Sequence, residues 1–222
     1  MQFGPDGYLW MGLGDGGHRT NAQKIVEPRG GMIRLDVSTA GTALPAPDNP
    51  YVGIEDASED LWAIGLRNPW RWSYDTETNL IYIGDVGRNI AEEINVQAFD
   101  EPALNYGWAT IEGSQCFRIE EEDPAPTNCD TTDLLLPTVE VLHPEACSFT
   151  GGHVYRGEAI PELDGRYFYA GFVRSFLYAD GEATNEVQIA DDLSAVTSWG
   201  RDRDGEFYVI TSDGFTRKLV AA

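Results

Sequence analysis

The stretch Asp60–Trp108 decides the fold. It reads DLWAIGLRNPWRW over 60–72, NLIYIGDVGRN over 79–89, EEIN over 92–95 and NYGW over 105–108. Aromatic and β-branched runs have the composition of strands. Arg67, Asn68, Asp85, Glu92, Glu93, Asn95 and Tyr106 are expected on turns between those runs. An all-β scaffold presents a site in this way, because strands hold still the loops that carry the chemistry.

Outward from this stretch, the same pattern recurs: a turn with Asp or Asn and Gly, then alternating aromatic and aliphatic residues. It occurs as PDGYLWMGL from Pro5, TETNLIYIGD from Thr76, LDGRYFYAGF from Leu163 and DRDGEFYVIT from Asp202. Asp-Gly turns between alternating runs are strong hairpin signals. The turn residues Gly7, Asn79, Gly165 and Gly205 lie 72, 86 and 40 residues apart. That irregular spacing suits four-stranded blades decorated by long loops. GMIRLDV, LWAIGL, TVEVLH and GHVYRG supply further strands, and the spans 40–60 and 98–133 read as loops. No amphipathic helix longer than two turns emerges. The expected fold is an all-β β-propeller, here of about four blades with long inter-strand loops. The six Trp and ten Tyr lie mostly in strand-like runs, which suits blade-to-blade packing better than a ligand cage.

Bulk properties bound the function. The 222 residues suffice for a sizeable core. No apolar run approaches the roughly 20 residues of a membrane helix, so no membrane insertion is expected. With 37 acidic against 15 basic residues, the net charge of −22 argues against nucleic acid or an anionic membrane as partner. The acids are spread along the chain, as on a heavily solvated surface; a cation site recruiting a few of them is the alternative. Cys116, Cys129 and Cys147 fit neither a zinc spacing nor a CxxC pair. Cys116 and Cys129 flank the acidic, proline-containing FRIEEEDPAPTN, a place for a disulfide worth about 3 kcal/mol by loop closure. That pairing would imply an oxidising compartment, periplasmic or secreted. Three reduced thiols in a cytosolic protein is the other reading.

PDGYLWMGLGDGG, GLRNPWRWSYD, IGDVGRN, EEIN, NYGW, EGSQCF and TGGHVYRGEAIPELDGRYFYAGF follow one another along the chain. In this order they resemble the glucose/sorbosone dehydrogenase family of soluble quinoprotein sugar dehydrogenases, six-bladed β-propellers. The bacterial branch that resembles hedgehog-interacting-protein-like proteins is the nearest in flavour. The resemblance implies oxidation of a sugar (aldose) hydroxyl with pyrroloquinoline quinone (PQQ) and calcium, and an electron-acceptor protein as partner. Arg67 and Asn68 match the Arg-Asn pair that contacts the quinone. A guanidinium fork suits the cofactor's carboxylates and carbonyls. The alternative for Arg67 is a bracket that ties two loops through backbone carbonyls. Gly87 and Arg88 match positions that offer carbonyl oxygens to calcium, although Arg88 stands where the family often has Pro. Asp85 and Asn95 resemble a second calcium position, and oxygen-rich turns suit that ion. Glu92 or Glu93 capping backbone amides is the rival reading there. Tyr106 resembles a tyrosine packed on the cofactor, with core packing as its alternative. Asp15, in GLGDGG, sits on a loop that faces the site in the family.

Two departures from the family pattern carry consequences. The family's general base is a histidine in an H-x-G-G motif just before the stretch matched by MQFGPDGYLW. The chain is therefore expected to be the C-terminal part of the domain (residues 1–222, N-terminal blades missing). None of His18, His143 and His153 is expected to be the base, so no catalytic residue is assigned. Loss of such a base costs about 10²–10⁴-fold, and the chain alone is expected to be inactive. Many relatives have a cysteine where this chain has Arg174, which implies that Cys147 has no partner. The alternative function is a non-catalytic extracellular propeller that binds carbohydrate or protein.

Overall fold

Successive side chains of a strand point to opposite faces, so alternating sequences bury one face and expose the other. Five sheets arise in this way in the computed structural model, which describes residues 1–117, 128–145, 147–172, 177–179, 187–188 and 193–221. The first sheet holds β1 (Gln2–Phe3), β2 (Leu9–Leu13), β3 (Gly31–Asp36), β4 (Leu44–Pro45) and β5 (Leu61–Ile64). The second runs β6 (Pro69–Asp75), β7 (Leu80–Asp85) and β8 (Ala91–Ala98). A hairpin of β9 (Ile111–Glu112) and β10 (Gln115–Cys116) intervenes before β11 (Val139–Leu142) pairs with β8. The third sheet has β12 (Phe149–Val154), β13 (Tyr167–Gly171), β14 (Leu177–Ala179) and β15 (Val187–Gln188). The fourth has β16 (Val196–Arg201), β17 (Phe207–Thr211) and β18 (Thr216–Lys218). Helical structure among the described residues is limited to 3₁₀ turns at Arg19–Asn21 and Pro161–Leu163, and no helix is long and apolar enough to cross a membrane.

The turn chemistry is as the repeat predicted. Gly7, Asn79, Gly165 and Gly205 all have positive φ, between 57° and 83°, where a side chain beyond glycine or asparagine is strained. One expectation changes. EEIN is not a turn: it lies within β8, with Glu92 opposite Val141, Glu93 opposite Glu140 and Ile94 opposite Val139. Asp85 is likewise the last residue of β7. Glutamate is a poor strand former, but pairing and the packing of Ile94 outweigh that preference.

The chain divides into two compact units, 1–69 with 98–137, and 70–97 with 138–222. In the first, Arg34 is enclosed by Tyr8, Trp62 and Trp10, its guanidinium carbon 4.3, 4.9 and 5.7 Å from the ring centroids. Asp48 and Asp6 close on it at 2.6 and 2.7 Å. Burial works against that charge, and the two carboxylates overcome it, leaving the Arg34 pKa raised. Cys116 and Cys129 of this unit form a disulfide, with Cα atoms 5.7 Å apart. Residues 118–127 of the loop that it closes lie outside the described residues.

The core of the second unit is aromatic. Tyr82 stacks on Tyr167 at 4.4 Å, and Tyr155, Phe168, Trp199 and Phe207 meet edge to face. Each fully buried ring of this kind contributes roughly 1.5–3 kcal/mol. Two polar brackets lock its loops. Arg156 grips Asp75 at 3.0 and 2.7 Å, and the Tyr155 hydroxyl donates to Glu206, whose other oxygen accepts from Ala159 N. Cys147 is a free thiol; Arg174, the residue on which its lack of a partner was argued, lies outside the described residues.

Candidate functional site

The first unit brings three of the singled-out segments together. Gly65 has φ +84°, and a β-carbon there would drive into the backbone amides of Tyr106 and Gly107, at 2.7 and 2.6 Å. NYGW can therefore lie directly on the strand that leads into Arg67. Tyr106 N donates to Ile64 O, and Trp108 N to Gly65 O. Gln23 and Asn105 exchange amide hydrogen bonds at 2.9 Å, and Gln23 also reaches Trp108 O at 2.6 Å. GLGDGG arrives from the other side. Asp15 N donates to Arg67 O at 2.9 Å, and a β-carbon at Gly14 would touch Arg67 O and the Asn68 side-chain oxygen at 3.4 and 3.5 Å.

Side chains converge on Trp108. Its indole N–H donates to Asp15 Oδ2 at 2.9 Å, and the Arg67 guanidinium carbon lies 5.8 Å from its ring centroid. The other Asp15 oxygen accepts from Gly17 N at 2.8 Å. Arg67 and Asn68 are half-buried. Tyr106 is buried, 4% exposed, and packs as a core residue. Trp108 is the residue that sequence reasoning missed. The available signal was chemical: a buried indole must find an acceptor, and Asp15 is the acid of the Gly-rich loop.

The second unit holds the proposed metal positions. Gly87 and Arg88 lie on the turn that follows β7, and Gly87 N donates to Glu92 Oε2 at 3.1 Å. The same oxygen accepts from Phe149 N at 2.9 Å, and Oε1 meets His143 Nε2 at 2.7 Å. Glu92 thus caps backbone amides, the rival reading of EEIN. Asn95 is fully buried, its Nδ2 is 3.5 Å from Glu93 Oε2, and its Oδ1 has no hydrogen-bond partner. Asp85 is 3% exposed. Among the described residues no three His, Cys, Asp or Glu side chains form a group able to hold a metal.

The histidines are spread. His143 is on Glu92, His153 lies in β12 against Phe207 at 6.2 Å, and His18 is exposed at the start of the first 3₁₀ turn. Burial, then Arg201 and Arg71, push the His153 pKa down to about 4, so its imidazole is neutral at pH 7.

Known proteins share this chain's sequence and architecture. HIPL1 protein of Arabidopsis thaliana is 28% identical over 264 residues, covering 97% of this chain and 37% of that protein. A crystal structure of glucose dehydrogenase superposes with a TM-score of 0.81 at 21% identity, over 99% of this chain and 63% of that one. The PQQ-bound form of aldose sugar dehydrogenase from Streptomyces coelicolor does so at 0.69 and 20% identity, over 95% of this chain and 54% of that one. The chain thus spans less than two thirds of the length of each. The structural likenesses carry the fold, the all-β propeller architecture of sugar dehydrogenases. Residues 1–219 match the family model for glucose/sorbosone dehydrogenase, and the chain belongs to that family.

Proposed function

We propose that the chain is the C-terminal part of a PQQ- and calcium-dependent dehydrogenase that oxidises an aldose hydroxyl. The observation that carries this reading is the Arg67–Asn68 turn, half-buried and braced by Asp15 and Trp108. The coverage of the relatives, 37% of HIPL1 and 63% of the glucose dehydrogenase, supports the view that further blades belong to the whole protein.

The residues present fit a flat polyanion. Arg67 offers a guanidinium fork to carboxylate or quinone oxygens, and Asn68 adds a carboxamide. The Gly14 backbone packs beside them, against Arg67 O and the Asn68 side chain. Asp15 is committed to Trp108 and Gly17, so in this reading it orients Trp108, and through it Arg67. PQQ, when bound, supplies the two-electron acceptor for the hydride of the sugar C–H bond. The fit to calcium rests on the unpartnered Asn95 Oδ1, with Glu93 beside it. Both are oxygen donors of the kind that calcium prefers, and carbonyls of the Gly87–Arg88 turn would have to complete a set of six to eight. Glu92 holds that turn in shape.

Reconstitution with PQQ and calcium tests the reading. Quinone binding followed by fluorescence quenching should weaken at least tenfold in Arg67→Ala, and millimolar calcium should raise the melting temperature. The whole protein should reduce dye with aldoses, and the chain alone should not. Binding unaffected by Arg67→Ala, together with melting indifferent to calcium and chelator, would leave the alternative: a non-catalytic propeller that binds carbohydrate or protein. An oxidising compartment, periplasmic or secreted, is proposed on the disulfide.

A further inference from the structure

Six tryptophans are a large apolar load, and the structure hides nearly all of it. Trp10, Trp72, Trp108 and Trp199 are between 1% and 7% exposed, and Trp62 is half-buried against Trp10 at 5.1 Å. Trp70, in β6, is the exception at 51%. Its ring is nevertheless fixed. The Trp70 Nε1–H donates to Thr197 O at 3.1 Å across 127 residues, and both residues belong to the second unit. A bulge offers that carbonyl. Val196 pairs with Thr211 and Ser198 with Ile210, so Thr197 is the extra residue of β16 and its backbone stands outside the ladder. The Thr197 hydroxyl donates to Ile210 O at 3.1 Å, which holds the bulge in shape. Bulges of this kind re-aim groups beside functional sites.

The bond to Thr197 occupies the one polar atom of the indole, and the rest of the side chain is carbon. An aromatic face held in one orientation and left in water suits the C–H face of a pyranose ring. The face of an indole is electron-rich, and the sugar C–H bonds carry a small positive charge towards it. In a β-glucopyranose every hydroxyl is equatorial, so the axial C–H bonds present a flat apolar surface. We propose that Trp70 is the stacking platform for a pyranose ring, and that it favours closed sugars of this shape over open-chain polyols. The inference rests on the proposed sugar-oxidising function, whose Arg67–Asn68 turn immediately precedes β6 in the sequence, and it names the part of the sugar that is recognised.

The test uses methyl β-D-glucopyranoside, which has the ring but no free anomeric hydroxyl to oxidise, so neither quinone nor turnover enters the measurement. Sorbitol at equal concentration controls for hydroxyl groups without a ring. The Trp70 indole resonances, assigned by their loss in Trp70→Phe, should shift and saturate with the glucoside and stay still in sorbitol. The Thr197 amide should report the same binding in the variants. Trp70→Ala should weaken that binding at least tenfold, whereas Trp70→Phe, which keeps an aromatic face but not the bond to Thr197 O, should lose less. The proposal fails if the Trp70 resonances respond alike to glucoside and sorbitol, or to neither. It fails equally if Trp70→Ala, with an unchanged circular dichroism spectrum, binds the glucoside as the parent does. Failure of the dehydrogenase reading looks different: quinone binding indifferent to Arg67→Ala would remove that reading and leave the glucoside titration as it stands.

Discussion

Asp15 in the first unit and Glu92 in the second each fasten a loop that carries candidate ligand groups, and they do so differently. Asp15 is partly exposed and holds two donors, the Trp108 indole and Gly17 N. Glu92 is 1% exposed and holds three: Gly87 N, Phe149 N and His143. A carboxylate in water can exchange a lost partner for solvent, whereas a buried one cannot. The contrast separates a residue that shapes a ligand surface from one that holds the fold together. It predicts large stability effects with Glu92 and large binding effects with Asp15.

The strongest attempt to break this contrast is Glu92→Ala, which strands two backbone amides and an imidazole. A loss of about 3–5 kcal/mol in urea unfolding is expected. Glu92→Gln should recover part of it, because a carboxamide oxygen can still accept one of the amide bonds. A loss below about 1 kcal/mol for the alanine variant would remove Glu92 from its assigned role. Next comes the disulfide, which the first unit has and the second lacks among the described residues. Replacing Cys116 and Cys129 by serine should cost about 3 kcal/mol, for a sequence separation of 13. Hydrogen exchange should then quicken in 98–117 and 128–137 first, and uniform acceleration would show that the staple acts on the whole chain.

Asp15→Ala should cost only about 1 kcal/mol, since Trp108 and Gly17 can turn to water. The same variant should weaken quinone binding at least tenfold by releasing Trp108 from beside Arg67. Equal, small effects on both would sink its positioning role. The last effect is a pH dependence. The His153 pKa is held at about 4, below its ordinary 6.5. The unfolded chain therefore takes up a proton first, and the stability associated with neutral His153 is present above pH 6.5 and lost as pH falls towards 4. His153→Gln should flatten that part of the stability profile in chloride buffers, and an unchanged slope would argue against a buried neutral imidazole.

Much of the fold could be read locally. The alternation in LWMGL, LIYIGD, YFYAG and FYVIT appears as β2, β7, β13 and β17, and the Gly7, Asn79, Gly165 and Gly205 turns have the backbone that those residues favour. EEIN was harder. Two adjacent glutamates argue for a turn, and only pairing with Val139–Leu142 makes them strand residues. In NYGW the tyrosine was the residue singled out, but it is the tryptophan that meets Asp15 and Arg67. A pattern of residue types carries no information about which of two neighbours will find a partner far along the chain.

The sequence by itself determined most of the strands, the tight turns and the family, and it offered the pairing of Cys116 with Cys129, because each depends on local periodicity, backbone preference or a short motif. Tertiary structure decided the use of each charged group. Glu92 reaches His143 across 51 residues and Trp108 reaches Asp15 across 93. The physical reason is that a charge is defined by its burial and its partners. Both are set by which strands are brought side by side, and a sequence read in short windows does not contain that.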